Sequence, residues 1–279
     1  MKLLSPRAFY YILGKKGFFQ YLLFAGFLIF FYLPLMNLCM LAFADKYEVP
    51  AIIPQEFGFK WWGFVLGQRS LVSSISVSFI LAIIVTFVSL AVCIPAAYAL
   101  ARYEFFGKRI FLLSFLLSNA YPRMGLYISI GILFYKLGLM GTLAGVVIIH
   151  FLNSMMFMTW IPSGAFRSVY RQQEESARDA GAGPIRTFFK VTLPLATPGI
   201  AVASVFTFLS SLEEAQGTLL VGFPQIKTMP VELYGVIMEY PLTAGPVLSL
   251  ILIIPTVLVL FFMRKYINAD SLSGGYGVK

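Results

Sequence analysis

Long uncharged stretches dominate the pattern of the chain. Residues 17–44 and 71–101 contain no charged side chain, and each is longer than the roughly 20 apolar residues needed to cross a ~30 Å hydrocarbon core. Further apolar segments follow at 110–135, 141–163, 196–222 and 243–263. Pro122 and Arg123 interrupt the third segment, and the fifth contains Glu213 and Glu214. The pattern predicts six transmembrane helices.

The composition agrees with a membrane protein. Hydrophobic residues make up 59% of the chain, charged residues only 12%, and the mean hydropathy is +0.84. Such a chain cannot expose an ordinary polar surface to water, which excludes a large soluble enzyme domain. One histidine and two cysteines without CxxC spacing predict no metal centre and no disulfide. We therefore expect an all-α integral membrane protein without a resident metal.

The basic residues predict the orientation. Of the 21 basic residues, 15 fall on one side of a six-span arrangement: Lys2, Arg7, Lys15, Lys16, Arg102, Lys108, Arg109, Arg167, Arg171, Arg178, Arg186, Lys190, Arg264, Lys265 and Lys279. The positive-inside rule places that side in the cytoplasm. The expected division is a cytoplasmic segment 1–16, a membrane domain 17–265 and a cytoplasmic tail 266–279. Topology thus accounts for the net charge of +9, and no nucleic-acid partner is expected.

The polar segment before the fifth span has a pattern of its own. Good helix formers in "QQEESARDAGAG" end at Gly181-Ala182-Gly183-Pro184, and "IRTFFKVTLPL" then resumes. The second part carries a possible apolar stripe, formed by Ile185, Phe188, Phe189, Val191 and Leu193. We expect a helix-turn-helix, either built to dock into a groove on another protein or serving as a solvated connector.

The same segment resembles the EAA loop of the permease subunits of binding-protein-dependent ABC importers. That loop follows the pattern E-A-A-x3-G-x9-I-x-L-P. It is matched here by Glu175, Ser176, Ala177, Gly181, Val191, Leu193 and Pro194, with Ser176 in place of the second alanine and Val191 in place of the isoleucine. The resemblance extends from about residue 70 to 265 and includes "AYALARYEFFGKR" before the third span.

The resemblance implies a fold, a mechanism and a set of partners. It implies a type I importer permease with six spans, in which the loop at about 166–197 is a coupling helix seated on a cytoplasmic ATPase subunit. The seven matched residues would hold that contact. The partners would be the ATPase subunits, a second permease chain, an extracytoplasmic solute-binding protein and the lipid of a bacterial or archaeal inner membrane. ATP would be used by the ATPase subunits, since this chain lacks the G-x-x-x-x-G-K-[ST] motif.

Three charges within the predicted spans are candidate functional residues. Charged side chains in a membrane cost roughly 2.5–3.5 kcal/mol on insertion scales and are usually paired or functional. Glu213 and Glu214 could line the path as counter-ions for a cationic solute. Alternatively, Arg123 could pair with one of them and fasten the third span to the fifth. Adjacent helical residues point about 100° apart, so both roles can coexist.

Different stretches of the sequence indicate different classes of transported solute. The stretch around "SSLEEAQGTLLVGFPQIKTMPVELY" resembles polyamine-type permeases, whereas "FYKLGLMGTLAG" and the glycine-rich tail resemble maltose-type sugar permeases. The acidic pair favours a polyamine or a related small organic solute, with a sugar or polyol as the alternative. An ion-coupled secondary transporter is the alternative from another class, although such proteins usually show an internal repeat.

Overall fold

The structure is a computed structural model that describes the backbone of residues 6–263 and the side chains of residues 16–115 and 121–261. In chain order the helices are α1 (Pro6–Ala42), α2 (Lys60–Gly67), α3 (Arg69–Arg102), α4 (Lys108–Ala120), α5 (Arg123–Lys136), α6 (Leu143–Ser168), α7 (Arg171–Asp179), α8 (Pro184–Thr187), a π-helical turn (Phe188–Thr192), α9 (Leu193–Glu213), α10 (Gln216–Val221), α11 (Met229–Glu239) and α12 (Ala244–Met263). The predicted helical fold is confirmed. The tail 266–279 lies outside the described residues.

Five helical segments of the described chain are long and apolar enough to cross a membrane: Lys16–Ala42, Arg69–Arg102, Leu143–Ser168, Pro184–Glu213 and Ala244–Phe261. The third predicted span differs, because α4 and α5 replace one helix over 110–135. Tyr121 adopts extended backbone (φ −82°, ψ 148°) directly before Pro122. A proline disfavours helical backbone in the residue before it and has no N–H to donate, so the helix ends there. The third span is thus two helices of 13 and 14 residues.

The fifth span also has different bounds from the predicted 196–222. Helical structure begins at Pro184, well before residue 196, and continues through the π-helical turn into α9. It ends at Glu213, because Glu214 is extended (φ −73°, ψ 110°), and the short α10 follows. The two adjacent glutamates therefore lie on either side of a helix end.

The described chain divides into two compact units. The first includes residues up to 65 together with 240–250. In it, a small antiparallel sheet pairs β1 (Ala44–Lys46) with β2 (Glu56–Phe57). Asp45 Oδ1 accepts a hydrogen bond from the Lys60 amide at 2.9 Å, and Trp62 Nε1 donates to the carbonyl of Ala42 at 2.8 Å. These bonds attach the start of α2 to the end of α1.

In the second unit, α3, α6 and α9 pack together. Their shared core contains Cys93, Ile94, Ala97, Met158, Phe166, Ala196, Ile200 and Ala203. Gly199 lies so close to Ala165 that any side chain at position 199 would overlap the alanine. Small residues at such a crossing let two membrane helices approach closely, which compensates for the absence of a hydrophobic driving force in lipid. The loop with the EAA pattern joins α6 to α9, and Glu213 is the last residue of α9. This three-helix core therefore positions both the predicted coupling loop and the acidic pair.

Candidate functional site

The loop between α6 and α9 is a helix-turn-helix. Helix α7 ends at Asp179, and Gly181 follows with φ +87°. The Gly181 amide bonds to the carbonyl of Arg178 at 2.8 Å, and the Ala182 amide bonds to that of Ala177 at 3.0 Å. Left-handed backbone just past a helix end is the usual position for glycine, because a Cβ is strained there. A Cβ at Gly181 would meet nothing within 4 Å, so the requirement is one of backbone conformation and not of space.

The residues that match the EAA pattern fall into two groups. Glu175, Ser176 and Gly181 are exposed and Ala177 is half-buried, around α7 and its turn. Val191 and Leu193 are half-buried and Pro194 is exposed at the start of α9, where Leu193 packs against the three-helix core. The EAA pattern therefore includes exposed residues on α7 and its turn, together with the half-buried Val191 and Leu193 near the start of α9.

The apolar stripe predicted for the loop is only partly exposed. Phe188 packs edge-on against Tyr98, with ring centroids 5.0 Å apart, and lies next to Phe166. Ile185 and Phe189 are 74% and 58% exposed. Two large apolar side chains of the loop, Ile185 and Phe189, are therefore exposed, whereas Phe188 packs inward.

Sequence reasoning missed the residue that fastens α7. Glu174, the neighbour of Glu175, is buried and pairs with Arg102, whose Nη2 lies 2.8 Å from Glu174 Oε1. Thr192 donates a hydrogen bond to the same oxygen at 2.7 Å. The available signal was an arginine at the end of an otherwise uncharged span and two adjacent glutamates in the loop. The spacing of the family pattern drew attention to the second glutamate alone.

The second group of candidate residues surrounds Glu214. Tyr127 Oη and Asn153 Nδ2 donate to Glu214 Oε2 at 3.1 and 2.8 Å, and the Gly217 amide donates to Oε1 at 2.8 Å. Arg123 Nη1 lies 4.0 Å from Oε2. Glu214 is buried, so its carboxylate is directed into the protein and is held by neutral donors on α5, α6 and α10 as well as by the arginine.

Glu213 and His150 are two further polar residues in the predicted spans. Glu213 is exposed on α9, and the described residues give it no hydrogen bond or ion pair. His150 is buried, with its two ring nitrogens 2.8 Å from Ser211 Oγ and 2.7 Å from Thr218 Oγ1. Within the described part of the chain, no group of three potential metal ligands occurs. The histidine thus joins α6 to α9 and α10.

The comparisons with known proteins agree with this architecture. Residues 91–270 match the family described as binding-protein-dependent transport system inner membrane component. The diacetylchitobiose uptake permease of Streptomyces coelicolor is 28% identical, over 87% of this chain and 82% of its own length. The maltodextrin permease of Bacillus subtilis is 26% identical, over 70% and 72%. A chain of a bacterial importer of the acidic polysaccharide alginate shares the fold, with a TM-score of 0.72, 20% identity and coverage of 96% and 99%.

The family match spans well over half of the chain, and the solved importer chain shares the fold. This match, together with the solved ABC importer that shares the fold, favours an ABC importer over an ion-coupled carrier. The chain therefore belongs to the family of binding-protein-dependent transport system inner membrane components, as a non-catalytic, multi-pass permease subunit of a type I ABC importer.

Proposed function

We propose that this permease forms half of the translocation path of an importer for oligosaccharides or related sugars. The observation that carries the proposal is the set of relatives. The sequence-similar permeases named above act on diacetylchitobiose and maltodextrin, and a further one, 26% identical over 75% of this chain, on trehalose. These support the maltose-type alternative over the polyamine that the acidic pair favoured.

The geometry around Glu214 supports the same choice. A counter-ion for a cationic solute needs a carboxylate that faces the translocation path. Glu214 instead accepts three hydrogen bonds within the chain and has Arg123 nearby. The Glu214 carboxylate is thus bound by groups of this chain. Of the acidic pair, at most the exposed carboxylate of Glu213 is left to bind a cationic solute. The polyamine interpretation thereby loses half of its basis.

The proposal assigns the loop of α7 and α8 to the contact with the ATPase. The exposed residues Glu175, Ser176 and Gly181, with Ile185 and Phe189 beside them, form a surface of mixed polar and apolar character. A groove-binding helix needs such apolar anchors beside polar groups that set its orientation. The ATPase pair would supply two such grooves, one for this chain and one for a second permease. Both termini and this loop would face the cytoplasm, and the binding protein would act on the other side.

Reconstitution of the complete importer tests the proposal. The four-subunit complex is placed in proteoliposomes with its binding protein, and ATP hydrolysis and uptake are measured for chitobiose, maltotriose, trehalose, spermidine and putrescine. We expect at least one of the sugars to raise both rates above the solute-free level, and neither amine to do so. Liposomes with a non-hydrolysable ATP analogue control for passive leakage.

Two outcomes would contradict different parts of the proposal. Stimulation by spermidine or putrescine without any response to sugars would reject the sugar assignment and leave the importer intact. Uptake that proceeds with the non-hydrolysable analogue would reject the ATP-driven mechanism. Direct titration of the isolated binding protein with the same five solutes checks the first outcome independently of the membrane components.

A further inference from the structure

The buried contact of α7 is unusual in kind. Among the nine residues of this helix, Glu174 is the buried one, and Gln172, Gln173, Glu175 and Arg178 are exposed. A surface helix normally attaches to its protein through an apolar stripe. The side chain that helix α7 buries is a carboxylate instead. The position of α7 is therefore set mainly by the partners of Glu174.

Those partners come from separate elements and converge on one atom. Arg102 donates to Glu174 Oε1 from Nε at 3.1 Å and from Nη2 at 2.8 Å, and Thr192 Oγ1 donates to it at 2.7 Å. Arg102 is the last residue of α3, and Thr192 is the last residue of the π-helical turn that leads into α9. We call Arg102, Glu174 and Thr192 the clasp.

Two further contacts join the clasp to its surroundings. Arg102 Nη2 also donates to the carbonyl of Val169, the residue after α6, at 3.0 Å. Arg171, the first residue of α7, donates back to the carbonyl of Arg102 at 3.1 Å. Helix α7 is thus held at two points to the end of α3, and Arg102 holds the ends of α3 and α6 together. All three helices of the membrane core meet at this cluster.

Burial of the pair favours a directional role over a stabilising one. The side chains of Arg102 and Glu174 are only 8% and 6% exposed. Removing two charges from water costs about as much as their attraction returns, so a buried ion pair is weak evidence for stability and is better attested as a device that fixes one arrangement. The π-helical turn that ends at Thr192 is consistent with such a role, because π-helical turns within α-helices are frequently found at functional sites.

We propose that the clasp is the joint that passes movement of α7 to α3 and α9, which makes Arg102, Glu174 and Thr192 positioning residues for coupling. The proposal rests on the assignment of α7 as the helix that contacts the ATPase. When the ATPase moves α7, the shared oxygen of Glu174 carries the displacement to the ends of two membrane helices. An apolar contact would let α7 slide, whereas three donors on one oxygen fix its direction.

The test uses two variants of nearly unchanged side-chain volume and one smaller variant that keeps the hydroxyl, all in the reconstituted importer. Glu174→Gln removes the charge, Thr192→Val removes one hydrogen bond, and Thr192→Ser restores the hydroxyl. We expect Glu174→Gln and Thr192→Val to assemble and hydrolyse ATP while solute transported per ATP falls at least about fivefold, the lower range of ordinary coupling effects. Thr192→Ser should keep the parental ratio. Glu104→Gln is the matched control, since Glu104 pairs with Lys108 at 2.8 Å close to Arg102 but is 87% exposed.

The possible outcomes separate the clasp from the proposed function. If Thr192→Val and every Glu174→Gln complex that assembles keep the parental ratio, the clasp is a structural contact and the proposal is wrong. A loss in Glu104→Gln equal to that in Thr192→Val would also reject it. If Glu174→Gln fails to assemble, Thr192→Val decides alone. Failure of the proposed function appears elsewhere, as a parental complex that does not couple hydrolysis to sugar uptake.

Discussion

Arg123 Nη1 lies 4.0 Å from Glu214 Oε2, and the pair links the start of α5 to the residue after α9. This relationship has the form of the ion pair that the sequence offered as one interpretation of its membrane charges. The arginine side chain is 53% exposed, however, and the glutamate side chain 3%. A half-exposed partner at this distance contributes little, so the neutral donors around Glu214 hold it more firmly than the arginine does.

The first prediction concerns the donors around Glu214. In Glu214→Gln one acceptor oxygen must replace two, so the amide NH2 would face a donor such as Tyr127 Oη or the Gly217 amide. We expect a loss of about 1.5–3 kcal/mol, the usual range for a hydrogen bond to a charged group, seen as a lower melting temperature of the purified complex. Arg123→Gln should cost less than about 1 kcal/mol.

Glu213→Gln is the matched control for that prediction, because Glu213 is adjacent in sequence but exposed. Its effect on the melting temperature should correspond to no more than about 0.5 kcal/mol, as for other surface changes. Equal destabilisation by the two glutamine variants would contradict the assignment of Glu214 as the buried, bonded member of the pair. A loss in Arg123→Gln as large as that in Glu214→Gln would show that the arginine dominates after all.

The sequence predicted the spans where hydrophobicity alone decides, and the bounds of the helices differ where a single residue ends a helix. The uncharged stretch 71–101 lies within α3, because a long apolar run has no stable alternative in a bilayer. Pro122 was noted in the third span, yet its consequence, two helices instead of one, depends on whether neighbouring helices satisfy the freed backbone groups. The end of α9 at Glu213 has no comparable signal, since no proline or glycine stands there and the donors from α5 and α6 that bind Glu214 are distant in sequence.

The candidate residues show the same division. Gly181 could be predicted, because a turn between two short helices requires backbone that glycine adopts easily. The partners of Glu174 could not, because Arg102 and Thr192 lie 72 and 18 residues away in sequence. Local patterns carry no record of such pairings. The same holds for Asn153 and Tyr127, which sequence reasoning left out although both bond to Glu214.

The second prediction concerns His150. In His150→Leu, the hydroxyls of Ser211 and Thr218 would lose their imidazole partner while buried, at about 1–3 kcal/mol for each group left unsatisfied. Adding Ser211→Ala and Thr218→Val removes the unsatisfied groups, so the triple variant should recover most of the loss in melting temperature. If the triple variant is as stable as the parent but does not transport solute, the cluster of His150, Ser211 and Thr218 has a role in transport beyond joining α6 to α9 and α10.

The third prediction concerns orientation. Single cysteines at Ser176 and Gln225, placed in a chain with Cys39→Ser and Cys93→Ala, lie before and after α9. We expect a membrane-impermeant maleimide to label position 225 in intact cells and position 176 only in inverted vesicles, because the basic residues cluster on the side of position 176. Labelling of both positions from one face would contradict the crossing between them, and the reverse pattern would contradict the positive-inside assignment.

The fourth prediction concerns the turn after α7, where the chain supplies its own control. Gly181 has φ +87° and Gly183 has φ −68°, and an added Cβ at either meets nothing within 4 Å. Gly181→Ala therefore adds only the cost of left-handed backbone, about 1–2 kcal/mol, which rotation of α7 away from its position would relieve. We expect Gly181→Ala to transport less solute per ATP than the parent. Gly181→Asn should give an intermediate value, because asparagine tolerates this backbone. Gly183→Ala should keep the parental value. The measurement is the ratio of uptake to hydrolysis in proteoliposomes. Equal ratios in the two alanine variants would mean that the conformation of Gly181 does not set the position of α7, because both variants add the same methyl group to open space and differ only in backbone strain.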